Sequence, residues 1–546
     1  MSSIVENWRL LDEDEERAAI MSVEMEAEAN AKAKLHSTAA APAPEEAEEL
    51  PFSDLPTPEA PGSGAAAPEP GTAEQNTAPA PSNEEPLILD PADPMPTARL
   101  YVDKFHLVDK VRALQHQGGV FFEYQPGSNA YAEIDEAAIR SRLYKYLEPA
   151  TCWSEPKGKA EVQKLVPFKP NKSKVENALD ALRGICNLPS AMAAPCWIDA
   201  PDADLNPLDI MACRNGLLHI PTRKLLEPTA RFFTLNGIQF AFDRKAAPPK
   251  EWLKFLSQLW AEDPQSIATL QEWIGYLLTP RTHFQKILML IGPKRSGKGT
   301  IGRMIHRLLG DRNVCGPTLA KLGEPFGLST LIGKSAAIVS DARISGRTDT
   351  AVITEQLLSI SGEDSRTVAR KYLPDWNGKL PTRFTLLTNE LPRIEDQSGA
   401  LASRFIILTL SESFYGREDH GLLDRFIPEL PSILLWALDG WDRLRKRGRF
   451  QQPESSEEII QQFEDLGSPV GAFLRDRCEI GRAYEAMQDR VFSEWKSWCE
   501  EKGREKPGTE QMLARNLRAA VPWLNVTRPR VAGTQVRYWQ GLRLKE

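Results

Sequence analysis

One short glycine-rich stretch combines the residue types and the spacing that bind phosphate. It follows an apolar run, precedes a helical pattern, and consists of Gly292-Pro293-Lys294-Arg295-Ser296-Gly297-Lys298-Gly299-Thr300. In the GxxxxGK spacing, backbone N–H groups and the N-terminus of the next helix bind phosphate oxygens. The Lys298 ammonium neutralises the β- and γ-phosphates. The stretch therefore predicts an ATP site, with a chance glycine-rich turn as the alternative.

Two further residues are candidates for holding the Mg²⁺ that accompanies ATP. A Ser or Thr hydroxyl is expected at position 299, where this chain has Gly, so we assign the role to Thr300, directly or through a water. Asp341 ends the apolar run 336–340, and its carboxylate can organise Mg²⁺ and its waters. An aspartate that caps the next loop is the alternative for Asp341.

Two polar residues further along the chain are candidates for action on the γ-phosphate. Asn389 ends the apolar run 384–388 and can hold the attacking water, although its surroundings also suit an ordinary turn. Arg404 can reach the γ-phosphate of a neighbouring subunit as an arginine finger. A surface or ion-paired arginine is the alternative.

A segment rich in turn-forming and basic residues, 361–372, lies between Asp341 and Asn389. It contains Arg370 and Lys371 next to an aromatic residue, Tyr372. This composition suits a loop or hairpin that grips a nucleic-acid backbone, with a solvated hairpin as the alternative.

The elements that must position these residues form an α/β pattern. Short, continuously apolar runs at 287–291, 336–340, 384–388 and 405–408 predict a parallel sheet that helices cover on both faces. We predict a P-loop core of the AAA+ type over 284–465, a helical connector over 250–283 and an α+β domain over 98–249.

The C-terminal segment, 466–546, predicts a winged-helix domain. Helical patterns at 470–478, 483–502 and 509–520 precede a hairpin of 523–531 and 535–544. From Arg515 onward the segment is rich in arginine, which suits DNA binding.

The charge of the chain is divided unevenly along its 546 residues. The net charge is -8, but residues 1–97 hold 21 acidic residues against 4 basic ones, so the remainder is mildly basic. Because this segment is also rich in Pro and Ala, we predict a disordered tail with a possible N-terminal helix.

Several classes of protein are disfavoured by the composition. The seven cysteines include no CxxC pair, so a zinc site or a disulfide framework is not predicted. No apolar run is long enough to cross a bilayer, and the N-terminus lacks a secretory pattern. We expect a cytoplasmic protein, in the bacterial host cytoplasm if it is phage-encoded, with no membrane partner.

In order, spacing and residue type, these stretches resemble superfamily 3 helicases of the phage and plasmid primase–helicase type, relatives of poxvirus replicative helicases. The similar stretches are 291–300, 340–343, 361–364, 370–372, 389–392 and 403–405, and 214–218 resembles the N-terminal domain associated with such helicases.

The resemblance implies a homo-hexameric ring that hydrolyses ATP with Mg²⁺ and moves on single-stranded or forked DNA, typically 3′ to 5′. Lys371, with Arg370 beside it, would contact DNA from a pore hairpin. Asn389 would be the sensor and Arg404 the finger that acts on the neighbouring subunit. A separate primase or another replication protein is a possible partner of the N-terminal tail.

The sequence departs from the family pattern in two places. Many members carry two adjacent acids at the second motif, whereas Asp341 is flanked by Ser340 and Ala342, which leaves Glu355 as a guess for the water-activating carboxylate. In addition, 98–210 shows no carboxylate-pair signature of a primase, so no primer synthesis is predicted.

Two other functions fit parts of the sequence. A replication initiator or loader would use ATP only to assemble on DNA. A nucleoside monophosphate kinase can also contain Gly-Lys-Gly-Thr. Such kinases need an arginine-lined lid and end soon after their core, whereas this chain continues into a basic C-terminal segment.

Overall fold

The computed structural model describes residues 86–154, 162–198, 205–342, 350–392, 394, 400–504, 507–531 and 534–545. The predicted acidic tail and its possible helix lie almost entirely outside this part, since the description starts at residue 86. The first helix, α1 (Pro94–Phe105), begins ahead of the predicted boundary at residue 98. Asp93 caps this helix by accepting a hydrogen bond from Met95, and a proline occupies its first turn.

The N-terminal part combines short antiparallel strands with helices. Its sheet has the order β3-β4-β5, and its hydrophobic core joins Leu114 and Phe121 of the sheet to Leu143 and Leu179 of the helices. The elements are β1 (Leu107–Val108), β2 (Val111–Arg112), β3 (Leu114–Gln117), β4 (Val120–Gln125), β5 (Ala130–Ile134), α2 (Glu136–Leu147), β6 (Thr151–Trp153), β7 (Leu165–Pro167) and α3 (Lys172–Ile185).

A second group of short strands leads from this part to the core. Three of these strands form a sheet of order β11-β10-β9, and β12 pairs with β8. The strands are β8 (Cys196–Trp197), β9 (Ile210–Cys213), β10 (Gly216–His219), β11 (Lys224–Leu226) and β12 (Phe232–Phe233). The predicted helical connector follows as α4 (Lys250–Leu259) and α5 (Pro264–Leu277).

The core is a five-stranded sheet whose strands are all parallel, in the order β14-β15-β18-β13-β19. The four predicted apolar runs are confirmed as strands of this sheet, and their residues are almost all buried, as a sheet covered on both faces requires. The elements are β13 (Ile287–Ile291), α6 (Lys298–Leu309), β14 (Val314–Cys315), β15 (Ala336–Val339), α7 (Thr350–Ser361), β18 (Arg383–Thr388), α8 (Ala400–Arg404) and β19 (Phe405–Thr409).

The predicted basic segment, 361–372, covers the first strand and the turn of an antiparallel hairpin, and the second strand lies beyond it. The strands of the hairpin are β16 (Ser365–Arg370) and β17 (Leu373–Lys379), and Lys371 and Tyr372 form the turn between them.

The connector helix α5 is tied to the sheet by a buried arginine. Arg383 of β18 donates hydrogen bonds to the carbonyls of Leu277 (3.1 Å) and Thr279 (2.6 Å) at the C-terminus of α5. Its guanidinium also lies over the Tyr276 ring. Among the described residues its hydrogen-bond partners are all carbonyl oxygens, so helix-end carbonyls and an aromatic face stabilise the charge.

Two helices at the end of the core, α9 (Leu422–Phe426) and α10 (Leu430–Arg447), pack against the connector. The next helix, α11 (Glu457–Gly467), instead packs against the sheet, where Phe463 contacts Phe405 of β19. The buried carboxylate of Glu272 in α5 pairs with Arg443 and Arg447 of α10, which fastens α10 to α5.

The C-terminal unit contains a long strand where the sequence predicted the start of a helix. Residues 483–487, predicted as helical, belong to strand β20 (Cys478–Met487), which pairs with β24, for example Ala486 with Trp539. The prediction was wrong there because pairing with a distant strand outweighs a local helical pattern. The other elements are α12 (Pro469–Arg477), α13 (Gln488–Glu501), α14 (Glu510–Ala520), β21 (Asn525–Thr527), β22 (Arg530–Val531), β23 (Thr534–Gln535) and β24 (Tyr538–Leu544).

Within the described ranges, no helix combines the length and the apolar character that crossing a membrane requires.

Candidate functional site

The glycine-rich stretch forms the turn between β13 and α6, and Lys298 is the first residue of α6. Gly297 has φ +90°, a left-handed conformation that glycine adopts without strain. The Lys298 side chain turns back into the loop, where its ammonium donates to the carbonyls of Gly292 (2.8 Å) and Pro293 (2.7 Å) and to the Ser296 hydroxyl (3.1 Å). The loop thus holds a cation at the N-terminus of a helix, which fits an anionic phosphate ligand.

Burial affects the chemistry of this lysine. Lys298 is only 8 % exposed, and burial lowers its pKa. Its partners in the loop are neutral oxygens, which stabilise an ammonium less than phosphate oxygens do. The lysine therefore fits a phosphate group arriving from solvent.

Neighbouring elements hold the loop in place at both ends. A Cβ atom on Gly292 would lie 2.4 Å from the carbonyl oxygen of Leu410, which excludes any side chain there. A Cβ atom on Gly297 would lie 3.0 Å from Leu259 and 3.2 Å from Phe255, both on α4. Position 292 therefore requires glycine, because the backbone of Leu410 lies too close for any side chain.

The segment after β19 also covers the loop. The Ser413 hydroxyl donates to the carbonyl of Lys294 at 2.9 Å, and the Phe414 N–H donates to the carbonyl of Arg295 at 2.9 Å. Arg295 also pairs with Glu418 at 3.4 Å. No local pattern indicates these contacts, because the two segments are more than a hundred residues apart and the β13–β19 pairing brings them together.

Asp341 and Asn389 lie at the same edge of the sheet as the loop. Asp341 follows β15, and the N–H of the adjacent Ala342 donates to the carbonyl of Leu387 on β18 at 3.2 Å. Asn389 follows β18 directly, and both side chains are exposed. Since parallel strands all end at one edge, these two polar groups and the phosphate loop face the same space.

Thr300 is the candidate hydroxyl for Mg²⁺. Its Oγ1 accepts a hydrogen bond from Arg303 at 3.3 Å, and a Cβ atom on Gly299 would meet the same guanidinium at 3.3 Å. Among the described residues, no group of three or more His, Cys, Asp or Glu could hold a metal ion. One hydroxyl and the Asp341 carboxylate still fit Mg²⁺, which usually keeps several waters and binds substrate phosphates.

Arg404 lies at the opposite edge of the sheet. It immediately precedes β19, whose first residue Phe405 pairs with Ile287, the first residue of β13. Its Nη1 donates to the carbonyl of Ser361 at 3.4 Å and to the Gln285 side chain. The structure therefore does not bring Arg404 to the phosphate loop of its own chain.

A second cation beside Arg404 was missed from the sequence. Lys286 immediately precedes β13 and donates to the carbonyl of Ser403 at 2.5 Å. Burial and the nearby positive charge of Arg404 lower the pKa of Lys286. In the part of the chain that the structure describes, neither cation has a carboxylate partner, so this edge can accept an anion. The only sequence signal was a lysine just before an apolar strand.

The other predicted residues are distributed over the hairpin and the helix before it. Arg370 donates to the carbonyls of Pro374 (2.9 Å) and of Gly118 (2.8 Å), in the turn between β3 and β4. Lys371 lies exposed in the hairpin turn. Glu355, the guessed carboxylate, lies on α7 and pairs with Arg366 of β16 at 3.8 Å.

The C-terminal unit presents an arginine-rich surface. Arg515 and Arg518 are exposed on α14, whose opposite face buries Leu513 and Leu517. Arg518 lies over the Trp539 ring. Four more exposed arginines follow the helix: Arg528, Arg530, Arg537 and Arg543.

Comparison with known proteins gives one family match and several similar structures. A family of unknown function (DUF5906) matches residues 290–404, a range that contains every site residue predicted from the sequence. The apo structure of the NrS-1 C-terminal region is 12% identical, with a TM-score of 0.44 and coverage of 82% of this chain and 99% of that one. Its A form apo structure is also 12% identical, with a TM-score of 0.41 and coverage of 82% and 100%.

Proposed function

We propose that this chain is an ATP-dependent replicative DNA helicase of phage, plasmid or prophage type, acting as a homo-hexameric ring. The observation that carries the proposal is the division of the site between two edges of one sheet. The phosphate loop, Asp341 and Asn389 lie at one edge, while Arg404 and Lys286 lie at the other. In a ring of equivalent subunits, one edge of each chain can face the opposite edge of its neighbour.

In this proposal, each residue has a distinct task in ATP hydrolysis. The loop amides and Lys298 bind the β- and γ-phosphates, and Asn389 holds the attacking water. Thr300 and Asp341 would hold Mg²⁺, which when bound would supply positive charge to the phosphates. Arg404 of the adjacent subunit, with Lys286 beside it, stabilises the charge that develops in the transition state.

The DNA contacts belong to the hairpin and the C-terminal unit. Lys371, at the tip of the hairpin, binds the DNA backbone in the proposed ring. The C-terminal unit is proposed to be a winged-helix domain that binds DNA through α14, on which Arg515 and Arg518 are exposed.

Strand separation tests the proposal directly. Purified protein with ATP and Mg²⁺ should unwind a forked duplex, and single-stranded DNA should stimulate its ATP hydrolysis. Lys298→Ala should abolish both activities. If DNA does not stimulate ATP hydrolysis and the forked duplex stays paired, the helicase proposal is rejected.

The alternative is an initiator or loader that uses ATP without processive unwinding. Lys371→Ala separates the two, because a helicase would lose unwinding and bind single strands more weakly, while the C-terminal unit still binds duplex DNA. Wild-type protein that binds DNA and hydrolyses ATP but never separates strands would favour the loader.

A further inference from the structure

The tip of the β16–β17 hairpin carries an aromatic residue in an unfavourable setting. Tyr372 is 91 % exposed, and its φ of +62° lies in the left-handed region. Bulky residues rarely adopt this conformation, where Gly or Asn would be less strained. Neither the exposure nor the conformation stabilises the fold, and strained residues of this kind occur at binding sites.

The surroundings of Tyr372 are mainly cationic. The Lys371 ammonium lies 5.1 Å from the centre of the tyrosine ring. Residues 365–379 contain four basic residues and one acid, Asp375. The Arg370 side chain, by contrast, donates to the carbonyls of Pro374 and Gly118, which fixes the base of the turn. The turn thus presents one ring and one ammonium to solvent.

This pairing matches the chemistry of single-stranded nucleic acid, in which a base alternates with a phosphate. We propose that Tyr372 stacks on an unpaired base while Lys371 binds the adjacent phosphate. A protein partner fits less well, because a protein-docking surface needs a larger apolar patch than one ring beside cations. The inference rests on the proposed function and adds to it a residue that contacts bases.

The experiment compares two single-stranded probes with the full-length chain. One is an oligothymidylate, and the other is an abasic oligonucleotide of the same length, which keeps the phosphates and lacks the bases. Tyr372→Ala should weaken binding to oligothymidylate by about tenfold and leave the abasic probe unaffected. Tyr372→Phe should bind both probes like the wild type, and Lys371→Ala should weaken both.

Three outcomes would overturn the stacking assignment. If Tyr372→Ala binds oligothymidylate as tightly as the wild type, a protein partner becomes the better explanation of the exposed ring. Equal losses on both probes would assign Tyr372 to backbone contact. Wild-type protein that binds neither probe, with or without ATP, would reject the proposed function along with the inference. Equal melting temperatures of the variants show that folding is unchanged.

Discussion

The N–H of Gly292 donates a hydrogen bond to the carbonyl oxygen of Thr388 at 3.3 Å, so the first residue of the phosphate loop is joined to the residue before Asn389. This bond links the ends of two adjacent strands, β13 and β18. The position of the proposed sensor residue is therefore coupled directly to the position of the loop.

Gly292→Ala tests this coupling. Its new methyl group would lie 2.4 Å from the carbonyl oxygen of Leu410, the residue after β19, so Gly292 must shift and its bond to Thr388 is disturbed. We expect ATP affinity to fall by about tenfold or more, with a stability loss of about 1–3 kcal/mol. Isothermal titration calorimetry measures the affinity.

The matched control is Gly299→Ala. Its methyl group would meet only the movable end of Arg303, so ATP affinity should stay close to that of the wild type. Equal affinity of Gly292→Ala and the wild type would show that the loop is not held by this close approach.

Thr300→Ala tests the proposed metal hydroxyl. We expect it to raise the Mg²⁺ concentration needed for half-maximal ATP hydrolysis, because one oxygen ligand is lost, while Thr300→Ser should behave like the wild type. The double variant Gly299→Ser/Thr300→Ala should recover much of the loss, because it restores a hydroxyl one position earlier. An unchanged Mg²⁺ dependence in Thr300→Ala would exclude Thr300 as a ligand.

Mixing two inactive variants tests whether Arg404 acts on a neighbouring chain. Lys298→Ala and Arg404→Ala should each reduce ATP hydrolysis by about a thousandfold. An equimolar mixture should regain activity, because some interfaces then combine an intact loop with an intact arginine. If the mixture stays as inactive as its components, the two residues do not act across an interface.

Arg383→Met tests the buried link between α5 and the sheet. Burial lowers the pKa of Arg383 to about 10, and its loss leaves several carbonyls without a donor. We expect a stability loss of about 3–5 kcal/mol by chemical denaturation. The exposed Arg231 supplies the control, since Arg231→Met should change stability by less than about 0.5 kcal/mol. Similar stabilities of the two variants would contradict this role.

Glu123 should make part of the stability of the N-terminal domain depend on pH. Hydrogen bonds with His106 and Arg142 lower the pKa of Glu123 from 4.5 to about 2. A carboxyl group whose pKa is lowered in the folded state stabilises the fold above its unfolded pKa and loses this effect as the pH falls. The melting-temperature difference between the wild type and Glu123→Gln should therefore be full near pH 7 and shrink between pH 4.5 and 2. A difference that stays constant over this range would refute the assignment.

The sequence predicted those parts of the site that depend on local signals. The strand–turn–helix context of Lys298 and the strand-end positions of Asp341 and Asn389 follow from apolar runs and the residues next to them. Lys286 and the segment around Ser413 were missed because their positions depend on the pairing of β13 with β19. The bond between Arg370 and Gly118 joins residues about 250 positions apart, and no local pattern indicates it.

The placement of Arg404 and Lys286 far from their own phosphate loop has a consequence for how the proposed enzyme responds to its abundance. A solitary chain would hold ATP without the cations that speed its cleavage. Hydrolysis per chain would then rise steeply with protein concentration and vanish on dilution. At low protein concentration the chains would therefore consume little ATP. Hydrolysis would begin once the concentration is high enough for the subunits to assemble into the proposed ring.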